Sequence, residues 1–387
     1  MHFDSDGACR SDYNLRSIVQ STLEYEEFLR RSILLVEDDL TLKHIRMRES
    51  KFLFFRATYY RWAELFPKLF PKLMDVPRLA CVGDVHVENF GTFRNSKGLL
   101  EWGINDFDEV DSLPYLNDLL RLSASAIIAI SEDKLAITPI KACQAILDGY
   151  LRRIRRGSIK PFVLKKRKEP FMTKLARRSF DDPESFWRNM RSLPYAGPKV
   201  LPAARARLLK TIVSKASRDG FVLHRRVAGM GSLGHLRFVA IYQGQKKDDS
   251  REEPGYCAQE LKELGPPATC WQEGRKWDRK VLQRTLEMTD DASRQIAEGW
   301  LVRRIAPDCV KLELTMLPAI RKKSLLLCSM GAELGNVHLR ANSSRGHLGA
   351  IADDLGSRDS EWLYSACKTV VQEITTDWQS FRDKFKA

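Results

Sequence analysis

The sequence predicts an α+β protein of two lobes, a mainly helical large lobe and a smaller lobe built on an antiparallel sheet. Three observations predict it. From Tyr13 to about Leu73, apolar residues recur three and four apart (Leu29, Ile33 and Leu34, then Phe52, Phe55, Tyr59 and Trp62), the period of a helix with one buried face. Two short apolar runs, Leu79 to Val82 and Leu99 to Ile104, end in Gly-Asp and Asn-Asp and read as strands feeding polar loops. Farther on, Phe221 to Tyr242 has strand texture on both sides of a glycine cluster, and Tyr256 to Leu261 continues it.

The remaining elements follow in order. Asn95-Ser96-Lys97-Gly98 is a turn sequence between the first two strands. Helices are predicted from about Leu116 to Arg155. The longest apolar run in them, Leu122 to Ile130, contains two serines and is far short of the roughly 18 to 20 residues that cross a bilayer, so it reads as a buried helix. A basic, proline-punctuated stretch to about Pro202 is a lobe connection or an extra helical region. Lys246 to Gly255 is a polar, exposed loop. A helix over about Arg279 to Glu298, a strand over Trp300 to Ile305 and helices from about Leu317 onward complete the chain.

With 387 residues, 43% of them hydrophobic and 29% charged, the chain has the composition of a globular protein with room for two lobes. Its start, with Asp4, Asp6 and Arg10, lacks a secretory layout, so a cytoplasmic location is expected. Eight scattered cysteines without a close pair predict reduced thiols rather than zinc or disulfides. The net charge of +14 is concentrated at Arg152, Arg153, Arg155 and Arg156, at Lys165, Lys166, Arg167 and Lys168, and at Arg177 and Arg178. Such a field attracts nucleic acid, membrane headgroups or a phosphorylated substrate. These clusters read first as solvated helix faces. They lack the interleaved aromatics of a single-strand binder and any zinc-finger pattern, so a basic nucleic-acid-binding protein is an alternative but not the favoured reading.

The densest constellation is Gly83-Asp84-Val85-His86-Val87-Glu88-Asn89-Phe90, followed by Asn105-Asp106-Phe107-Asp108-Glu109. Phosphoryl transfer from a nucleotide requires a carboxylate near the attacking hydroxyl and an oxygen-rich pocket for magnesium. Asp84 and Asn89 have the Asp-to-Asn spacing of a kinase catalytic loop. In that reading Asp84 is the catalytic base, Asn89 and Asp106 are metal ligands, His86 sits within the loop as in kinases of small molecules, and Asp108 assists the metal or binds the acceptor. As turn residues and helix caps, the two acids would have no reason to end apolar strands. Asp84-Val85-His86 could also open a two-metal phosphoesterase motif, but the further Asp, Asn and His motifs do not follow.

Arg226-Val227-Ala228-Gly229-Met230-Gly231-Ser232-Leu233-Gly234-His235 contains a full Gly-x-Gly-x-x-Gly. Dinucleotide folds use the same string before a helix; here Leu236 to Tyr242 is strand-like, which favours a flap over nucleotide phosphates. Gly229, Gly231, Ser232 and Gly234 are its candidate ATP-binding residues. The accompanying lysine that contacts the phosphates is assigned to Lys262, with Glu287 on the following helix as its acidic partner. Arg303 or Arg304 is a candidate neighbour of the nucleotide. Asp118 either hydrogen-bonds the catalytic-loop backbone or is a plain helix-start residue. His338 lies on an apolar helix and reads as a satisfied core histidine.

In an ordinary kinase the glycine flap precedes the catalytic loop; here the order is reversed. A circular permutation accounts for it: a large lobe beginning over 1–205, a small nucleotide-binding lobe over 206–310, and helices of the large lobe returning over 311–387. Gly83-Asp84-x-His86-x-Glu88-Asn89-Phe90-Gly91, Asn105 to Glu109, Asp118-Leu119-x-Arg121-Leu122, Gly229-x-Gly231-Ser232-x-Gly234 and Val302 to Asp308 resemble the blocks of a bacterial family known as domain of unknown function 2252. The resemblance covers about residues 45–345, and at the flap lysine the family's Lys-Glu-Ala is replaced by Glu260-Leu261-Lys262-Glu263. It implies a kinase-like, magnesium- and ATP-dependent phosphotransferase acting on an unidentified hydroxyl acceptor; the alternative within that fold is a catalytically inactive nucleotide-binding regulator.

Overall fold

In the computed structural model the described residues are 15–165, 169–197, 209–210, 212–213, 220–243, 255–291, 293–317, 319–341 and 345–385. Lys166, Arg167 and Lys168 of the second basic cluster, Cys9, the expected start residues Asp4, Asp6 and Arg10, and residues 246–254 of the polar loop lie outside them.

Helices fill most of residues 18–69, as the periodicity predicts: α1 (Ile18–Arg30), α2 (Glu37–Glu49), α3 (Lys51–Ala57) and α4 (Tyr59–Leu69). Their starts are locally encoded. Ser17 caps α1 by accepting from the Gln20 amide, Ser50 caps α3 through Leu53, and α2 opens with Glu37, Asp38 and Asp39 against the positive end of its dipole. Strand β1 (Arg78–Cys81) pairs antiparallel with β4 (Asp111–Pro114). The Asn95 to Gly98 turn closes a hairpin of β2 (Phe90–Arg94) and β3 (Leu100–Ile104), with the Asn95 side chain accepting from the amides of Lys97 and Leu99. Strand β2 emerges directly from the polar loop and has no apolar run of its own, which is why sequence periodicity missed it.

Helix α5 (Leu116–Glu132) carries the expected apolar run and is buried from Leu116 to Ile130. α6 (Pro139–Arg156) begins with proline at a position that needs no amide donor and stops at Gly157, whose φ is 60°. Of its basic cluster, Arg152, Arg155 and Arg156 are exposed, whereas Arg153 is buried. The basic stretch then holds a two-residue β5 (Phe162–Val163) on the edge of β3, α7 (Pro170–Ser179), on which Arg177 and Arg178 are exposed, and α8 (Pro183–Arg191).

A five-stranded antiparallel sheet follows, made of β6 (Val222–Arg225), β7 (Arg237–Gln243), β8 (Tyr256–Glu263), β9 (Gln295–Ala297) and β10 (Trp300–Ile305) in the order β6-β7-β8-β10-β9. Two short helices, α9 (Ala268–Glu273) and α10 (Arg279–Glu287), link β8 to β9. The helix expected to run to Glu298 therefore ends earlier. Glu298 and Gly299 both take positive φ, 49° and 83°, to turn the β9–β10 hairpin, a conformation no helix continues through. The chain finishes on α11 (Ile320–Ala341), α12 (Arg345–Gly356) and α13 (Trp362–Lys384). The seven cysteines in the described residues are thiols rather than halves of disulfides, and no helix among those residues is long and apolar enough to cross a membrane.

Two glycines set the densest helix contact. A Cβ on Gly149 of α6 would lie 1.9 Å from the Cys328 carbonyl oxygen of α11, and one on Gly331 of α11 would lie 2.0 Å from that of Ile146. The two backbones thus touch at a crossing that any side chain would wedge apart. Gly331→Ala should lower the melting temperature markedly, while Gly349→Ala, with nothing within 4 Å of its added methyl, should leave it unchanged or slightly raise it; parallel thermal melts decide.

Glu333 of α11 is buried and accepts from Asn336 Nδ2 at 2.7 Å. Burial pushes its carboxyl up from the ordinary 4.5 to about 7, against the opposing pull of Arg340. Because the folded value is the higher one, the associated stability is present below pH 4.5 and is lost as pH rises toward 7. Glu333→Gln should therefore stabilise the protein at pH 8 but not at pH 4.5, as measured by urea unfolding at both values.

Candidate active site

A cleft of about 490 Å³ lies between the five-stranded sheet and the helical part. One buried carboxylate shapes its floor. Asp118, in the first turn of α5, accepts the amides of Val82 at 2.6 Å and Gly83 at 3.0 Å, where β1 passes into the loop that carries Asp84. It also meets His338 Nε2 of α11 at 3.1 Å, and Tyr150 of α6 holds the other ring nitrogen at 2.8 Å. Asp118 thus organises the loop, one of its two expected roles, and His338 is the satisfied core histidine that was expected. Cys81, Asp118 and His338 place potential ligand atoms within 4.8 Å of one another. Each Asp118 oxygen already accepts an N–H, and burial raises the Cys81 thiol well above its usual range, so the cluster reads as a structural network.

The loop delivers Asp84 to the cleft. Its Oδ1 accepts from Arg121 Nε (3.1 Å) and Nη2 (2.7 Å); the same guanidinium reaches the Phe55 carbonyl and stacks 3.6 Å from the Phe55 ring centroid. Burial pushes the Asp84 carboxyl above the ordinary carboxylate range, and Arg121 opposes the shift. Oδ2 faces the glycine segment, 3.6 Å from where a Cβ on Gly231 would stand.

His86 lines the cleft, but its Nδ1 accepts from the Glu88 amide at 3.3 Å and its ring lies edge-on to Phe52. Burial, followed by the charges of Arg56 and Lys311, drives its basicity well below that of free histidine, so it is a neutral ring. The Asn89 amide donates through Nδ2 to the carbonyls of Asp84 (3.3 Å) and Asp106 (3.2 Å), and the residue lines the cleft.

Lys262 crosses from β8 to the acids. Its Nζ lies 3.2 Å from Asp106 Oδ1 and bonds Asp108 Oδ2. Burial would raise the Asp106 carboxyl, but Lys262, a hydrogen bond with Asp108 and the charges of Arg303 and Arg237 together outweigh it and hold the group below its ordinary range; burial and then the Asp106 charge push Asp108 up to about 6. The expected partner Glu287 is not there. It is exposed at the end of α10, bonded to Gln283 of the same helix, because that helix turns away before β9.

The glycine segment connects β6 to β7 over this group. Gly229 and Gly234 have φ of 80° and 102°, and a Cβ on Gly229 would come 2.9 Å from Arg237 Nη2, which itself donates to Ser232 Oγ at 2.5 Å. Helix α2 clasps the segment from below: Lys43 Nζ donates to the Gly231 carbonyl at 3.2 Å, and the Val36 amide donates to that of Gly234 at 2.8 Å. Asp84, Asn89, Asp106, Asp108, Lys262 and the glycine segment are therefore brought together. Arg303 and Arg304 also line the cleft.

The donor set suits a hard divalent cation. Asn89 lines the cleft, the Asp106 side chain is 48% exposed, and Asp108 Oδ1 is buried without a hydrogen-bond partner. Sequence reasoning assigned no role to Arg121, Lys43 or Arg237. Arg121 stands three residues after Asp118 on one helix face, and that spacing is the sequence signal for it. Nothing in the sequence connects Lys43 with a flap nearly two hundred residues away.

Asp118→Asn turns an amide donor toward backbone donors in a fully buried network. We expect it to lower the unfolding free energy by about 2–5 kcal/mol and to increase hydrogen exchange at Val82 and Gly83, whereas a surface substitution such as Asp359→Asn should do neither.

No curated protein and no solved structure matches the chain significantly. A family model described as "Uncharacterized protein conserved in bacteria (DUF2252)" matches residues 35–179, the segment that holds Asp84, Asn89, Asp106 and Asp118, and supports the family expected from those motifs.

Proposed function

We propose that the chain is a magnesium- and ATP-dependent phosphotransferase of kinase-like architecture that acts on a hydroxyl-bearing acceptor. One observation carries the reading: Lys262, on the third strand counted from the flap's first, spans the cleft to Asp106 and Asp108, beside Asp84 and Asn89. Flap, lysine, metal-binding acids and base come from distant parts of the chain, and phosphoryl transfer uses them as a set.

The permuted order has structural support of its own. The nucleotide lobe assigned to 206–310 contains the five-stranded sheet. The returning helices of 311–387 pack on the first part, with Asp377 of α13 bonded to Arg61 of α4 at 2.8 Å and Trp378 to the Met47 carbonyl of α2 at 3.0 Å. A chain whose end docks on its beginning tolerates such rearrangement.

In the mechanism Arg121 holds Asp84 through Oδ1, leaving Oδ2 to take the acceptor's proton as its oxygen attacks the terminal phosphorus and ADP departs. The raised carboxyl of Asp84 brings its basicity nearer that task. Magnesium, held by Asn89 and Asp106 with Asp108 alongside, would neutralise charge on the transferred phosphoryl group. Lys262, bonded here to the acids, is placed to turn to the phosphates, and flap amides close over them. The inactive-regulator reading draws on one observation: among the described residues, Lys262 hydrogen-bonds Asp106 and Asp108 rather than a helix carboxylate.

Thermal shift and ATP hydrolysis separate these readings. Magnesium-ATP should raise the melting temperature, and Lys262→Met should remove most of that rise. Asp84→Asn should keep the rise while reducing magnesium-dependent transfer to water about 10²–10⁴-fold. Hydrolysis unchanged by Asp84→Asn would remove it as base, and the absence of any nucleotide-dependent shift would reject the function.

A further inference from the structure

Three guanidinium groups converge on a single carboxylate in the roof of the cleft. Glu260 of β8, only 2% exposed, accepts from Arg226 Nη1 (2.6 Å), Arg237 Nη1 (3.1 Å) and Arg303 Nε (2.7 Å). All three arginines line the cleft. Strand alternation puts Glu260 on the same face of β8 as Lys262, so the cluster continues the line of the lysine away from Asp106. Three cations against one anion leave it positive. Asp106 is within electrostatic reach of Arg237 and Arg303 but is already bonded to Lys262.

A buried carboxylate that orients three guanidinium forks builds a rigid array of N–H donors. Removing that much charge from water without a counter-ion is unfavourable, so the arrangement calls for an anion with several charges. The flap places such a ligand: Gly229 lies directly on Arg237, whose Nε is buried without a partner. The face beside Lys262 is Glu260 and the arginines rather than an apolar surface; of the next apolar patch, Val239, Ile241 and Ala258 pack with Trp187 of α8, and Ile305 lines the cleft.

We propose that Arg226, Arg237 and Arg303 form a binding site for a linear polyphosphate anion, and that the phosphate chain of a donor, rather than its base, carries recognition. The inference deepens the phosphotransferase reading and takes from it the place of the donor. The shared chemistry has two sources, a nucleoside triphosphate and an inorganic polyphosphate.

Isothermal titration of the full chain in magnesium at fixed ionic strength tests it, with inorganic tripolyphosphate, ATP and adenosine as probes. Tripolyphosphate should bind within about tenfold of ATP and compete with it, and adenosine should not bind. Arg303→Gln and Arg226→Gln should each weaken tripolyphosphate by about tenfold or more, Arg303→Lys should weaken it too because the fork is lost, and Arg178→Gln on exposed α7 should not. Melting temperatures without ligand establish that each variant is folded. Equal loss in Arg178→Gln and Arg303→Gln would mean diffuse attraction to a basic protein and would overturn the site. ATP and adenosine competing while tripolyphosphate does not bind would overturn it yet leave phosphotransfer standing. Tripolyphosphate binding without any ATP turnover would uphold the site and reject phosphotransfer from ATP.

Discussion

The loop that carries Asp84 depends on the carboxylate of Asp118. It is wholly buried, and its oxygens take the amides of Val82 and Gly83 together with the His338 ring. Charged acceptors make short, strong bonds to backbone donors in a medium of low dielectric, and the same medium makes an unfilled donor expensive. The bend after β1 is therefore held at one position relative to α5. Through His338 and Tyr150 that position is tied to α6 and α11, whose backbones meet at Gly149 and Gly331. Asp84 lies next in the chain after Gly83, so the aim of its side chain is set by helix packing far from the cleft.

Charge is distributed across the cleft in opposed layers. The floor carries Asp84, Asp106 and Asp108, and the roof carries Lys262 and the arginines around Glu260. Each floor acid has a cation: Arg121 for Asp84, Lys262 for the other two. Charges held partly out of water are stabilised by such partners. What remains is a positive surplus above and oxygen donors below, the arrangement that a polyanion with a divalent cation would satisfy from both sides.

The glycine segment joins these layers without belonging to either. Helix α2 grips it through Lys43 and the Val36 amide, and Asp39 of the same helix bonds Arg225 at 2.6 Å on the strand leading into it. Elements from near the start of the chain thereby control a loop of the sheet that comes much later. In the same way Asp377 and Arg61 hold the last helix to the fourth.

The sequence by itself determined most of the elements and the make-up of the short motifs. Alternation and helical period place α5, β7, β8 and β10, because burial on one face imprints a period on nearby residues. Asp84, Asn89 and Asp106 were readable because their spacing is local, and Lys262 because strand and flap follow one another. Tertiary structure alone decided the partners. Lys262 bonds Asp106 and Asp108 instead of Glu287 because the linking helix ends before the Glu298–Gly299 turn. Strand β2 forms because β3 offers it a ladder, not because its residues alternate strongly. Arg121 on Asp84, Lys43 on Gly231 and the arginines on Glu260 are contacts between residues distant in sequence, for which no local period or spacing is required. Function depends on those contacts as much as on the motifs, since a carboxylate's role is set by the charge and burial that surround it, and both are properties of the folded chain.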